Sequence, residues 1–427
     1  MIDRKKAPLI IDIENIDFIL PEQWELDNGI KVWGINGGSQ ELVKIDFIFD
    51  AGTWYQPANL IAGLSNSFMK QGTKNYSAQQ IAEVFDSRGA YLHLNADQQF
   101  GTVSILTLNK YIDEILAVTA DVVKNPLFPN KELKTQIAKK KQQFIVENNK
   151  VKVLAQKRFS QVVFGENHAY ANTNKITDYN NLSREQFVDF HRCHYMADNC
   201  RIIVAGLYND DIKSKLNHYF GDNDWKAALT LNTRQNILES SAIHEHFLIK
   251  SDALQSAIRI GRLLPGRNHP DFHALNVLIT ILGGYFGSRL MTNIREEKGY
   301  TYGIGAGIFS LQNASFLSIS TEVGFEFGQA TLKEIYFEID RLQNELVGHN
   351  ELDMVKRYLL GETLRSFDGV FAISNSLRTL IEAKLDYSHY QQFIDKVKSI
   401  TPNELLDLAK IYLSKNDLYQ IVAGKNQ

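Results

Sequence analysis

His191, Cys193, His194 and Cys200 crowd into the stretch HRCHYMADNC. His191 and His194 are three apart on a predicted helix and share a face, so a zinc enzyme built on His191, Cys193 and His194 is one reading. Packing at a helix–turn–strand join is the preferred one. His244 and His246 share one face of a strand, and two ligands alone make no metal site. No G-x-S-x-G marks a nucleophile. Gly283-Gly284 and the run Gly303, Gly305, Gly307 form neither a P-loop nor G-x-G-x-x-G. Gly305 and Gly307 are expected to let backbones approach within strands. Arg295 and Tyr302 differ from these. They lie across a helix end and into a strand, and combine fixed guanidinium donors with a phenolic hydroxyl. Such groups suit a carbonyl oxygen that gains charge. On residue types alone, an ion pair of Arg295 with Glu296 or Glu297 beside a half-buried Tyr302 is the simpler reading.

The elements that position these residues follow from periodicity. Residues 26–49 read as a β meander turning at Asp27-Asn28-Gly29, with Val43, Ile45, Phe47 and Phe49 on one strand face. A helix at 60–70 follows. Ser77 to Gln80 is a capping box opening a second helix that Gly89 ends. Strands fill 90–108, and Ile112 to Val123 mark an amphipathic helix stopped by Asn125-Pro126. A polar helix covers 130–150, Ser183 to Gln186 caps a helix at 184–196, and CRIIVAG at 200–206 is a strand. The order then recurs: a strand at 254–262, helices at 271–283 and 288–298, strands at 300–308 and 315–322, and a helix at 325–345. Thr401 to Glu404 is a third capping box, and LYQIVAG at 418–424 echoes CRIIVAG. Two copies of one unit of ~200 residues are implied, with residues 1–225 and 226–427 as the two domains and 222–240 as linker. The pattern predicts α+β: each half a mostly antiparallel sheet with helices packed on one face, the halves arranged as a clamshell.

The chain has 427 residues, 46 Lys and Arg against 49 Asp and Glu, and a net charge of -3. That balance argues against nucleic acid as a partner. The apolar stretch 274–282 is too short for a membrane span, and the start lacks an apolar signal region. Two cysteines make no disulfide framework. The expectation is a soluble cytoplasmic protein.

Residues 282–307, LGGYFGSRLMTNIREEKGYTYGIGAG, carry a glycine pair, Ser288-Arg289-Leu290, Ile294-Arg295-Glu296, and Lys298-Gly299 with Tyr302. This motif resembles the insulinase/pitrilysin metallopeptidases, or inverzincins, the family that includes mitochondrial processing peptidase. Gly52, Gly72-Thr73 and Asn95-Ala96 agree in the first half. The resemblance implies zinc held by H-x-x-E-H on a first-half helix and by a later Glu. Here the helix reads IAGLSNSFMKQGT from Ile61 to Thr73, without His or Glu and about three residues short. The later Glu should fall near Lys139-Lys140-Lys141-Gln142-Gln143, which reads as a solvated helix face. No metal is therefore expected in this chain.

The resemblance implies that Arg295 and Tyr302 reach toward a zinc site and hold substrate. The expected function is a non-catalytic subunit, inactive alone, that supplies this pair to a related partner with an intact H-x-x-E-H and the zinc. Together the two would act as a metalloendopeptidase on peptides. Asn95 and Ala96, on the strand at 91–97, would bind a peptide added as an extra strand. His93, near the expected cleft, is read as a satisfied or exposed side chain. Alone, the chain is open to either a monomer or a homodimer. The alternative is a structural or peptide-binding scaffold without a proteolytic role.

Overall fold

The computed structural model describes residues 13, 16–171, 174–226 and 235–425. In the first half the strands are β1 (Glu22–Glu25), β2 (Lys31–Asn36), β3 (Leu42–Phe49), β4 (Tyr91–Ala96), β5 (Gly101–Leu108) and β6 (Cys200–Gly206). Its helices are α1 (Ile61–Phe68), α2 (Ala78–Ser87), α3 (Ile112–Lys124), α4 (Asn130–Glu147), α5 (Val151–Phe164), α6 (Arg184–His194) and α7 (Asp211–Phe220). The second half has β7 (Glu245–Ile249), β8 (Gln255–Leu264), β9 (Ile304–Ser310), β10 (Ser315–Gly324) and β11 (Tyr419–Gly424). Its helices are α8 (Phe272–Ile279), α9 (Gly328–Asn344), α10 (His349–Arg365), α11 (Val370–Ala383), α12 (Ser388–Ser399) and α13 (Pro402–Tyr412).

Two sheets result, ordered β1-β2-β6-β3-β5-β4 and β7-β11-β8-β10-β9. Remove β1 and the two orders superpose strand for strand, as the sequence repeat requires. Every pairing is antiparallel except β2 with β6 and β7 with β11. The architecture is thus α+β, two similar halves closed as a clamshell. The β meander expected over 26–49 is only partly present. Asp27-Asn28-Gly29 does turn β1 into β2, with Gly29 at φ 86. But β6 inserts between β2 and β3, because the apolar CRIIVAG strand needs neighbours on both edges.

Val43, Ile45, Phe47 and Phe49 all face the helices of their own half and are fully buried. The opposite face of each sheet is covered by one helix from the other half. Helix α5 lays Ala155, Phe159 and Val163 against Ala257, Ile421 and Ala423 of the second sheet. Helix α11 lays Ile373 and Leu377 into a cluster with Ile35, Ile48 and Ile203 of the first. Arg378 on α11 also donates to the Thr102 hydroxyl at 3.0 Å.

The expected linker lies partly outside the described residues, at 227–234. Beyond them the chain tracks α5, where Glu239 N, Ser241 N and the Ser240 hydroxyl donate to the carbonyls of Phe164, Val162 and Val163. These bonds satisfy the end of that helix. The capping boxes at Ser77 and Ser183 form with both reciprocal bonds. At Thr401 only half forms: its hydroxyl accepts from Glu404 N, while the Glu404 carboxylate pairs with Lys396 at 3.0 Å. Among the described residues no helix is long and apolar enough to cross a membrane.

Candidate functional site

Helix α1 starts at Leu60, which sits at φ 73, a region few non-glycine residues adopt. Its first turns bury Ser65 and Asn66. The Asn66 amide donates to the Thr102 carbonyl at 3.2 Å and to the Tyr195 hydroxyl at 3.1 Å. The helix that would carry H-x-x-E-H is therefore fastened to the core by a neutral amide. On α4, Lys139 and Lys140 are exposed, and Lys141 Nζ contacts Asn180 Oδ1 at 2.8 Å. Among the described residues no group of three or more His, Cys, Asp or Glu side chains is placed to hold a metal. The amide of Asn66 and the ammonium groups of Lys139, Lys140 and Lys141 do not fit a zinc ion.

The other candidate ligands have structural partners. The buried His191 ring contacts the Val123 carbonyl at 2.7 Å and stacks on Tyr195. Burial presses its pKa down to about 4. His194 contacts the Asp50 carbonyl at 2.9 Å and stacks on Phe190. Cys200 is buried and Cys193 half-buried, and both are unbridged. His244 stacks on Tyr419, while His246 contacts the Ile243 carbonyl at 2.9 Å. His93 is exposed on β4.

Arg295 sits on residues 291–297, which wind in wide π turns, a geometry often found at functional sites. A similar turn at 280–284 brings Gly283 against β9, where a Cβ would stand 2.7 Å from Ala306. Close approach is thus required at Gly283. At Gly305 and Gly307, where it was expected, a Cβ would have 3.7 and 3.6 Å of clearance.

The Arg295 guanidinium lies over the Phe286 ring, 4.5 Å from its centre. Its ion pair with Glu296 is long, at 3.8 Å. Tyr302, in the turn before β9, is 98% exposed rather than half-buried. Among the described residues no hydrogen bond joins Arg295 to Tyr302. Stacking on Phe286 holds the arginine fork while leaving its donors available. The sequence reading missed Phe286, although it lies two residues past the glycine pair. It also missed Lys152, Arg259 and Glu322, which line a cavity beside Tyr302.

The expected peptide-binding strand, β4, is the edge of the first sheet, so its outer backbone groups are open to another strand. Asn95 projects to solvent, and Ala96 is half-buried where the strand meets Asp97 and Gln98. These last two, with Phe100, Arg267 and Glu382, border a cleft of about 470 Å³ between the halves. Neither Asn95 nor Ala96 approaches Arg295 or Tyr302 through any bond among the described residues.

Residues 35–175 match the profile of the insulinase family, peptidase family M16, and residues 181–359 match the peptidase M16 inactive domain. An uncharacterized zinc protease of Rickettsia felis is 24% identical over 91% of this chain and 94% of its own length. The non-peptidase homolog YmxG of Helicobacter pylori is 21% identical over 86% and 85%. A crystal structure of a peptidase M16 inactive domain from Pseudomonas fluorescens superposes with a TM-score of 0.83 at 23% identity, covering 96% of this chain and 99% of that one.

Proposed function

The chain belongs to the insulinase family of peptidases, family M16, and from that premise we propose that it is the non-catalytic subunit of a two-chain zinc metallopeptidase. Its contribution is Arg295 and Tyr302, offered to the active site of a related partner that carries H-x-x-E-H and the zinc. The observation that carries this reading is the 98% exposure of Tyr302. Tyrosine rings are usually at least half covered, because their apolar area dominates. Tyr302 instead projects bare from a turn between π-helical and strand segments, and Arg295, seven positions earlier in the chain, is held by an aromatic face. Together the guanidinium and phenol would hold a peptide carbonyl as it gains charge. A cytoplasmic setting belongs to this reading and suits the two unbridged cysteines.

Co-purification from the native host with mass spectrometry tests the proposal. A related chain with an intact motif should accompany this one, and the pair should cleave peptides that neither cleaves alone. One tightly held zinc per chain in the isolated protein would overturn it.

The open edge of β4, with Asn95 turned outward, supports the second reading, a peptide-binding scaffold. Cross-linking then discriminates. A peptide captured by β4 in a preparation without proteolytic activity favours the scaffold. Capture only by the partner's corresponding strand favours the complementing subunit.

A further inference from the structure

Tyr302 borders a cavity of about 520 Å³ on the inner side of the second sheet. Arg259 of β8 stands opposite Ser320 of β10, so both project from one face. Ser318 and Glu322 alternate onto that same face. It is the face that carries α5, and Lys152 reaches in from α5 itself. The wall is therefore composite, drawing one cation from each half of the chain.

Its charges are unbalanced. Lys152 and Arg259 face a single carboxylate, Glu322. Lys152 Nζ stays 3.9 Å from Glu322 Oε1, a loose pairing between partly exposed groups. Among the described residues the Arg259 guanidinium makes one hydrogen bond, from Nη1 to the neutral Ser318 hydroxyl at 3.1 Å. Among the described residues no carboxylate lies within salt-bridge distance of it. Burial presses its pKa below the ordinary arginine value, with Glu322 opposing that shift. A half-buried guanidinium with most of its five donors unused is set up for a planar acceptor with two oxygens.

We infer that this cavity is a subsite for an acidic peptide side chain, Asp or Glu, anchored by Arg259 with Lys152 as the second cation. The inference rests on the function proposed above, because a peptide held at Tyr302 is what brings a side chain to the cavity mouth. A basic side chain would meet two like charges. A neutral amide would lose the charge-assisted pair.

Peptide binding to the full chain tests this without the partner. Three fluorescein-labelled alanine-rich octapeptides would differ only in a central Glu, Gln or Lys. Fluorescence anisotropy should show the Glu peptide binding about tenfold tighter than the Gln peptide, in line with a hydrogen bond to a charged group. The Lys peptide should bind weakest. Arg259→Gln should erase the Glu preference, Arg259→Lys should restore part of it, and Lys152→Gln should reduce it. Circular dichroism checks that each variant is folded. Equal binding of the Glu and Gln peptides, no binding of either at millimolar concentration, or a preference that survives Arg259→Gln overturns the subsite.

The two proposals fail separately in the reconstituted pair. Tyr302→Phe should slow cleavage of the Glu and Gln peptides alike. If it does so while Arg259→Gln leaves the preference intact, the subsite falls and the complementing role stands. If Tyr302→Phe is silent while Arg259 still discriminates, the reverse holds.

Discussion

The side-chain amide of Asn66 donates to the Tyr195 hydroxyl across 3.1 Å, on the helix where zinc-binding relatives of this fold would carry their motif. The same amide holds the Thr102 carbonyl of β5, so α1, the residue that caps the end of α6 and the sheet are pinned together at one buried side chain. Asn66→Ala leaves that carbonyl and hydroxyl without their donor. A loss of about 1–3 kcal/mol should appear in urea unfolding. Zinc content should not change.

Tyr302→Phe removes a hydroxyl from an exposed ring and should leave the melting temperature where it is. If the proposed partner completes a peptidase with this chain, losing one donor to a developing oxyanion typically costs about 10²–10³ in kcat. Arg295→Ala should cost at least as much and also weaken peptide binding. Zinc in the complex and assembly by gel filtration should be unaltered. Full kcat and KM in both assembled variants would remove the complementing role and leave the scaffold.

Acid should destabilise the chain through His191. The buried ring is neutral in the folded protein, with its pKa near 4 against 6.5 when free. The unfolded chain therefore binds more protons between those values. Stability present above pH 6.5 is lost as the pH falls toward 4. Between pH 7 and 5 this one group accounts for about 2 kcal/mol. His191→Gln should flatten that part of the pH profile in denaturant titrations. An unchanged slope would mean the ring is not excluded from water.

Gly283→Ala should be worse than a typical surface change. The added methyl would stand 2.7 Å from the Ala306 Cβ and backbone nitrogen. Neither is the far end of a flexible side chain, so the π turn must lift from β9. Overpacking of this kind costs about 1–3 kcal/mol. Because this turn leads into Phe286, the ring under Arg295, activity of the proposed reconstituted pair should fall as well. Gly305→Ala, with 3.7 Å of clearance, is the matched control and should be nearly silent.

Most of the fold was legible because it is written locally and written twice. The caps at Ser77 and Ser183, the alternation through Val43 to Phe49, and the twin strands CRIIVAG and LYQIVAG each specify an element without help from the other half. The insertion of β6 between β2 and β3 was not legible, since strand neighbours far apart in sequence leave no periodic trace. The same holds for α5 and α11. Their hydrophobic faces can be read from sequence, but nothing in the periodicity says that each covers the other half's sheet. At the site, motif residues Arg295 and Tyr302 could be picked out. The ring under the arginine and the charges beside the tyrosine emerge only from folding, because Lys152 and Arg259 are 107 positions apart.

The exchange of α5 and α11 bears on how such a chain could arise. A single ancestral unit would have carried a helix whose apolar face finds no seat on its own sheet. Two identical units would have satisfied each other by trading that helix across a two-fold axis, as in a domain-swapped dimer. Gene fusion would then have joined partners that already depended on one another. Expressing residues 1–225 and 226–427 as separate polypeptides should reproduce that condition. Each fragment alone should aggregate through its bared sheet, and the two made together should recover one folded particle.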